Sequence, residues 1–205
     1  MSRPKHLHAV IASHPSEQSL TMSVVARYVK MVRSLGHEAI IRDLYRMDFD
    51  PVLKDWERPV SDRHAVATDV ADELKVLKGV DVFVLVYPIW FGTPPAMLKG
   101  YIERVLGSGF SYLSVRDRAP NELLAGKLLV SLTLSGTSKA WLHEQGTLIS
   151  LRNVVDEYLK HAFSFRDTMH FHIDRVGEAM APRFGEEILL EVDDYAREVC
   201  GCFDH

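Results

Sequence analysis

A chain of 205 residues with 47% apolar and 25% charged side chains can bury one sizeable core. No Pro/Gly/Ser-rich linker or shift in composition divides it, so one domain over residues 1–205 is expected. The formal net charge of −4, with Lys and Arg scattered, excludes a nucleic-acid binder held by a basic field.

No apolar run approaches the roughly 20 residues that cross a bilayer. The start, Met1-Ser-Arg-Pro-Lys-His-Leu-His8, lacks the apolar core of an export signal. Membrane insertion is therefore not expected, and a cytoplasmic location is. In chain order, residues 7–13 form a short apolar run ending in a polar turn, which predicts a strand. Residues 19–35 follow with Val24, Val25, Tyr28, Val29, Val32 and Leu35 at helical spacing. Gly36 stands where a helix ends, and residues 37–43 read as a second strand. Residues 44–62, with Pro51 and Pro59, predict a surface excursion before a helix over 64–78.

Residues 80–86, Val-Asp-Val-Phe-Val-Leu-Val, are nearly continuous in apolar and β-branched side chains. That pattern marks a parallel strand buried on both faces. A helix over 96–106 comes next, then a glycine-hinged loop over 107–112 and a further buried strand over 126–133. A helix over 148–161, a strand over 163–173 with alternating aromatics, and a helix over 186–200 complete the chain. Five strands interleaved with five helices predict a doubly wound α/β sheet.

Ligands of such sheets bind outside the carboxyl ends of the strands, where three loops converge. The first, residues 13–21, carries hydroxyls at Ser13, Ser16, Ser19 and Thr21, the imidazole of His14 and the free amides of a helix N-terminus. These are anion-binding parts, although Ser19 also suits a plain helix cap. The second loop, Pro88-Ile-Trp-Phe-Gly-Thr-Pro-Pro95, offers a rigid apolar wall to something flat. The third, residues 133–146, joins hydroxyls to Gly136, which lets a backbone approach closely. No Walker loop and no Gly-x-Gly-x-x-Gly follows the first strand, so phosphate must be gripped by hydroxyls and amides. Cys200 and Cys202 fit neither a metal knuckle nor a Cys-x-x-Cys motif. His170 and His172 share one face of a strand, but two imidazoles alone do not make a metal site, and none is expected.

Taken together, His14-Pro with Ser19-Leu-Thr21, Pro88 to Val105, Gly109-Phe-Ser-Tyr112, and Gly126-Lys with Thr133 to Gly136 resemble the flavodoxin-like NAD(P)H:quinone oxidoreductases. That family includes DT-diaphorase, the modulator-of-drug-activity proteins and the potassium-efflux ancillary flavoproteins. The resemblance implies a flavodoxin-like three-layer sandwich with a five-stranded parallel sheet of order 2-1-3-4-5. It also implies a homodimer that moves hydride from NADH or NADPH through a flavin, FMN with FAD as the alternative, to a quinone or similar flat acceptor. His14, Ser19, Leu20 and Thr21 are then expected at the flavin phosphate and ribityl chain. Pro88, Ile89, Trp90 and Phe91 are expected at the ring, and Thr133, Leu134, Ser135 and Gly136 at its pyrimidine edge. Residues 107–112 and the stretch after Leu44 are candidate partner contacts. Trp141 stands where the diaphorases have a tyrosine, and no histidine aligns beyond it, so no catalytic acid or base is assigned. The alternative implied by the same resemblance is a regulatory flavoprotein subunit of a potassium-efflux-type membrane transporter.

Overall fold

In a computed structural model that describes residues 5–177 and 181–203, five parallel strands form one sheet in the order β2-β1-β3-β4-β5. They are β1 (Leu7–Ala12), β2 (Glu38–Asp43), β3 (Val82–Pro88), β4 (Leu128–Leu134) and β5 (Asp167–Ile173). The predicted doubly wound sheet and its order are what the chain adopts. β3 and β4 are buried along their whole lengths, as central parallel strands covered on both faces must be.

The period-2 alternation of each strand divides the core in two. Val10 and Ala12 of β1 and Val82, Val84 and Val86 of β3 pack under α1 (Leu20–Ser34) and α8 (Pro182–Gly201). Ile11, Phe83 and Leu85 face the other way. They meet α2 (Thr68–Leu77), α3 (Ala96–Tyr101) and α7 (Tyr158–Phe163). On that second side α3 runs on into a π turn, Ile102–Leu106. Residues 147–163 form a broken helix: α6 (Thr147–Leu151), a π turn at Arg152–Glu157, then α7.

Several element boundaries differ from expectation for local reasons. α2 begins at Thr68 rather than 64, and α8 begins at Pro182 rather than 186. A proline is at home in a first helical turn, where its missing N–H costs nothing. The strand expected over 163–173 begins only at Asp167. Phe163 ends α7, and Ser164 takes a left-handed conformation at φ 61° that closes the helix. Phe163 and Phe165 are both buried, so their alternation mimics a strand although the chain is turning. Two short helices, α4 (Tyr112–Arg116) and α5 (Lys139–Glu144), lie in stretches expected to be loops.

The excursion after β2 is anchored rather than merely solvated. Arg104, 4% exposed, donates to the Glu57 carboxylate at 2.9 Å, to Asp69 at 2.8 Å and to the Asp50 carbonyl. Its guanidinium also sits 5.3 Å from the Phe49 ring centre. On the neighbouring turn, Tyr101 donates its hydroxyl to Glu73 at 2.6 Å, and Arg42 forks onto the same carboxylate. Removing one partner of such a buried pair leaves the other charged and unpaired.

Gly100 is where the excursion and α3 touch. A methyl group there would overlap the Pro51 carbonyl oxygen and Cα. Gly100→Ala should therefore destabilise the fold by at least about 1–3 kcal/mol, against the roughly 1 kcal/mol that alanine gains over glycine in a free helix. Urea unfolding of the two proteins measures this, and a more stable variant would show that the approach is loose.

Candidate active site

The site lies at the carboxyl end of the sheet, and each loop there is held by backbone geometry. The loop after β1 leaves from Ser13, whose N–H continues the ladder onto Val86 O at 3.0 Å. His14 accepts the Ser16 N–H on Nδ1 at 3.1 Å, and its ring lies 5.8 Å from that of Trp90. Ser19 caps α1 by accepting the Met22 N–H at 3.3 Å. The amides of Leu20 and Thr21 belong to the first turn, which has no intrahelical acceptors. No acidic residue stands in that turn, so the positive end of the helix dipole faces the opening uncancelled.

Arg46, which the sequence reading did not single out, staples this loop to the end of β2. It donates to the His14 carbonyl at 2.9 Å and to Glu17 at 3.2 Å. The loop after β3 is fixed from below by the Ile89 N–H on Leu134 O at 2.7 Å. Trp90 and Thr93 then exchange backbone hydrogen bonds of 3.0 and 3.1 Å around a tight reversal. Phe91 and Gly92 take φ of 51° and 81° to make it. Gly92 is free to do so, whereas a bulky residue in that region carries a cost of about 1–2 kcal/mol.

These loops enclose a cleft of about 560 Å³, within the range of small-molecule and cofactor sites. Of the residues expected at the site, His14, Ser19, Leu20, Thr21, Pro88, Ile89, Trp90, Leu134, Ser135 and Gly136 line it together. Ser16, Gln18, Val176 and Gly177 join them. The last two follow β5, a fourth strand end at the same edge that the sequence reading did not use. Two expected residues are not brought in. Phe91 stands fully exposed at the tip of its loop and lines no wall of the cleft. Thr133 is fully buried, and its hydroxyl lies 2.8 Å from both His170 Nε2 and His172 Nδ1. Trp141 and His143 are exposed on α5 and do not line the cleft either.

The cleft can sort a ligand by its parts. At one end the first turn of α1 offers amides with the Ser16, Ser19 and Thr21 hydroxyls, a set suited to phosphate. In the middle Pro88, Ile89 and Trp90 give an apolar band. At the far end Ser135 and Gly136 present a hydroxyl and open backbone, and a Cβ at Gly136 would press on Val176 O at 3.3 Å. Among the described residues lining the cleft none is Lys, Arg, Asp or Glu. That donor set fits a flavin in kind: neutral donors for a phosphate, a flat apolar surface for the ring and polar groups for its edge.

Comparison with known proteins bears on the fold and the family. The flavodoxin-like fold family matches residues 6–193. An uncharacterized NAD(P)H oxidoreductase of Haemophilus influenzae is 35% identical over 51% of this chain and 52% of its own length. NAD(P)H dehydrogenase [quinone] 1 of Rattus norvegicus is 28% identical over 71% of this chain and 56% of its own. The chain thus spans about half the length of the curated relatives it matches. Among solved structures, the NAD(P)H:quinone oxidoreductase of Methanothermobacter marburgensis superposes with a TM-score of 0.76 at 22% identity, over 95% of both chains.

Two buried histidines make the fold sensitive to acid. Burial, together with the neighbouring His170, pushes the His172 pKa down from 6.5 to about 4. Burial, followed by His37 and His6, pushes His8 down to about 3. Below pH 6.5 the unfolded chain takes up protons that these folded imidazoles refuse, so stability falls as pH drops towards 4 and 3. Each histidine should cost up to about 1.4 kcal/mol per pH unit inside its window. Urea midpoints measured between pH 7 and pH 4 check this. His172→Asn should flatten the slope between pH 6.5 and 4, and an unchanged slope would assign the acid lability elsewhere.

Proposed function

The chain belongs to the flavodoxin-like fold family, and on that premise we propose that it is a flavin-dependent NAD(P)H:quinone oxidoreductase. The observation that carries this reading is the juxtaposition, in one cleft, of the bare first turn of α1 and the Pro88–Ile89–Trp90 wall. The names of the relatives, oxidoreductases all, weigh against the transporter-subunit reading.

In this reading the amides of Leu20 and Thr21, with the hydroxyls of Ser16, Ser19 and Thr21, hold the phosphate. A terminal phosphate dianion gains most from a helix N-terminus, which favours FMN over FAD. Pro88, Ile89 and Trp90 flank the ring, and Ser135 with Gly136 meets its polar edge. When bound, the flavin supplies two-electron chemistry, accepting hydride from NAD(P)H and giving it up to a quinone. The residues of the chain supply position and exclude water: the tight Trp90–Thr93 reversal fixes one wall, and the Arg46 staple fixes the other. In this reading nicotinamide and acceptor take turns in the one cleft.

The partner in this reading is a second copy of the chain. A groove of about 640 Å³ on the other side of α3 is lined by Leu53 and Pro59 of the anchored excursion and by Phe110 and Tyr112 of the 107–112 loop. Val154 and Tyr158 complete it, and Tyr112, Val154 and Tyr158 are 74%, 68% and 58% exposed. A contiguous apolar surface of this kind marks an interface.

Purified protein should be yellow, release FMN on denaturation, and oxidise NAD(P)H with a quinone by parallel-line, ping-pong kinetics. Trp90→Ala should weaken flavin binding about tenfold, the scale of one aromatic contact. A colourless protein that takes up no flavin on reconstitution would sink the reading, and release of FAD would correct the cofactor alone. Light scattering should give twice the chain mass, with Val154→Glu shifting it towards the monomer.

A further inference from the structure

A continuous string of polar side chains runs through the core beneath residues 147–163 and ends at the cleft. Ser131, Thr133 and Ser135 occupy alternate positions after the start of β4, and His170 and His172 do the same on β5. The strand register sets Ser131 beside His170 and Thr133 beside His172. From the π turn above them Asp156 reaches down. It accepts the Ser131 hydroxyl at 2.6 Å and lies 2.5 Å from His170 Nδ1, with the His170 and Asp156 side chains 4% and 3% exposed. His170 Nε2 then meets Thr133 Oγ1 at 2.8 Å, and Thr133 Oγ1 meets His172 Nδ1 at 2.8 Å. His172 Nε2 meets Ser135 Oγ at 3.1 Å. Ser135 also faces the Thr137 carbonyl at 2.8 Å and lines the cleft.

Proton accounting shows that this string is complete in two states. With protons on both nitrogens of His170, Nδ1–H donates to Asp156 and Nε2–H to Thr133. The Thr133 hydroxyl donates to His172 Nδ1, His172 Nε2–H donates to Ser135, and the Ser135 hydroxyl donates to the Thr137 carbonyl. Every donor has an acceptor. With one proton fewer, the links between His170 and Ser135 reverse: Ser135 donates to His172, His172 to Thr133, and Thr133 to His170. The Thr137 carbonyl is still served by the Arg175 N–H at 3.3 Å. No buried group is orphaned in either state, so neither carries the penalty of an unmade hydrogen bond.

We propose that Asp156, His170, Thr133, His172 and Ser135 form a proton wire that delivers one proton from the buried His170–Asp156 pair to a basic oxygen or nitrogen of the molecule in the cleft. That this molecule is the reduced acceptor rests on the oxidoreductase reading above. In the step, the Ser135 O–H bond breaks as the acceptor's new bond to hydrogen forms. His172 Nε2 passes its proton to Ser135, Thr133 passes its own to His172 Nδ1, and His170 Nε2 passes its own to Thr133. No electrons move along the wire. His170 is left neutral against Asp156, and a protonated solvent acid entering the emptied cleft refills the wire through Ser135.

The other charged and titratable groups around the wire leave it intact. Asp174 and Lys139 act on His172 in opposite senses, while the buried Tyr87 and Tyr195 hydroxyls lie near Asp156 and are pushed up by their own burial first. The low proton affinity of His172 keeps it a relay rather than a second charge store.

Nitrogen NMR of histidine-labelled protein without flavin tests the wire directly. One and only one of the two nitrogens facing Thr133 should carry a proton, His170 Nε2 in the charged state. Protons on both, or on neither, would break the chain and overturn the proposal. In flavin-loaded protein reduced anaerobically and mixed with a quinone, Thr133→Val should slow reoxidation about tenfold or more and abolish its solvent deuterium isotope effect. Thr133→Ser should restore both to within about threefold. Wild-type reoxidation by Thr133→Val would overturn the wire. Should Thr133→Val fail to fold, Ser135→Ala cuts the same wire at its cleft end and is read by the same isotope effect. Failure to bind flavin would instead overturn the oxidoreductase reading, with the imidazole spectrum still deciding the wire.

Discussion

Everything at the cleft depends on one topological constraint: the chain reverses its winding between β1 and β3. From β1 it moves outward through α1 to β2 on one side of the sheet, then returns over the other side through α2 to β3. The loops leaving β1 and β3 therefore depart towards opposite faces, and the space between them cannot be filled by either crossover. A right-handed crossover at every step makes this gap unavoidable for the order 2-1-3-4-5. What the sequence adds is furniture. Arg46 ties one lip to β2, and the Trp90–Thr93 reversal stiffens the other. β3 gives the gap its floor by being buried from Val82 to Pro88.

The same sheet carries a second constraint, on the face of β4 and β5 under residues 147–163. There Ser131, Thr133, His170 and His172 occupy positions that β1 and β3 fill with Ile11, Phe83 and Leu85. Burying polar groups is costly unless each finds a partner. Here the partners come from the neighbouring strand and from Asp156, which a widened π turn at Arg152–Glu157 brings into reach. π turns of this sort are uncommon and cluster at functional sites. A purely structural core could have used valines at the same register, and the polar stripe is the geometry on which the proposed proton wire rests.

The strands and the edge at which their loops meet were legible because burial on both faces writes an unbroken apolar run, as in Val80 to Val86, whereas the strand order came only with the family resemblance. The cleft's composition was legible too, since hydroxyls before a helix and an aromatic loop after a buried strand have few other uses. That Trp90 lines the cleft and Phe91 does not was not legible, because the two have the same character and only the backbone reversal decides which of two adjacent aromatics faces inward. The burial of Thr133 away from the cleft lining was hidden for a related reason. The alternation Ser131, Thr133, Ser135 is visible in the sequence, but the partner that turns Thr133 inward is a pair of histidines some forty residues away. Asp156 left no signal at all, being one acid on a helix of ordinary amphipathic pattern. Arg46 and Arg104 escaped likewise, because a long side chain chooses its partners by tertiary distance and not by spacing.

The neutral character of the described residues lining the cleft and the buried pair behind it are, in the proposed reading, two halves of one electrostatic arrangement. A lysine or arginine in the opening would bind an anionic ring or reduced acceptor more tightly, but it would hold the product as well as the intermediate and gain nothing in rate. In the proposed reading, neutral donors and a helix dipole would hold a phosphate, which does not change charge during turnover. At the reacting end, charge that appears transiently calls for a proton that can come and go. Placing the His170–Asp156 pair two hydrogen-bonded side chains behind Ser135 would keep that proton out of water, where a partner carboxylate is least screened. It would also leave the described cleft lining neutral to each flat molecule that the proposed reaction admits in turn.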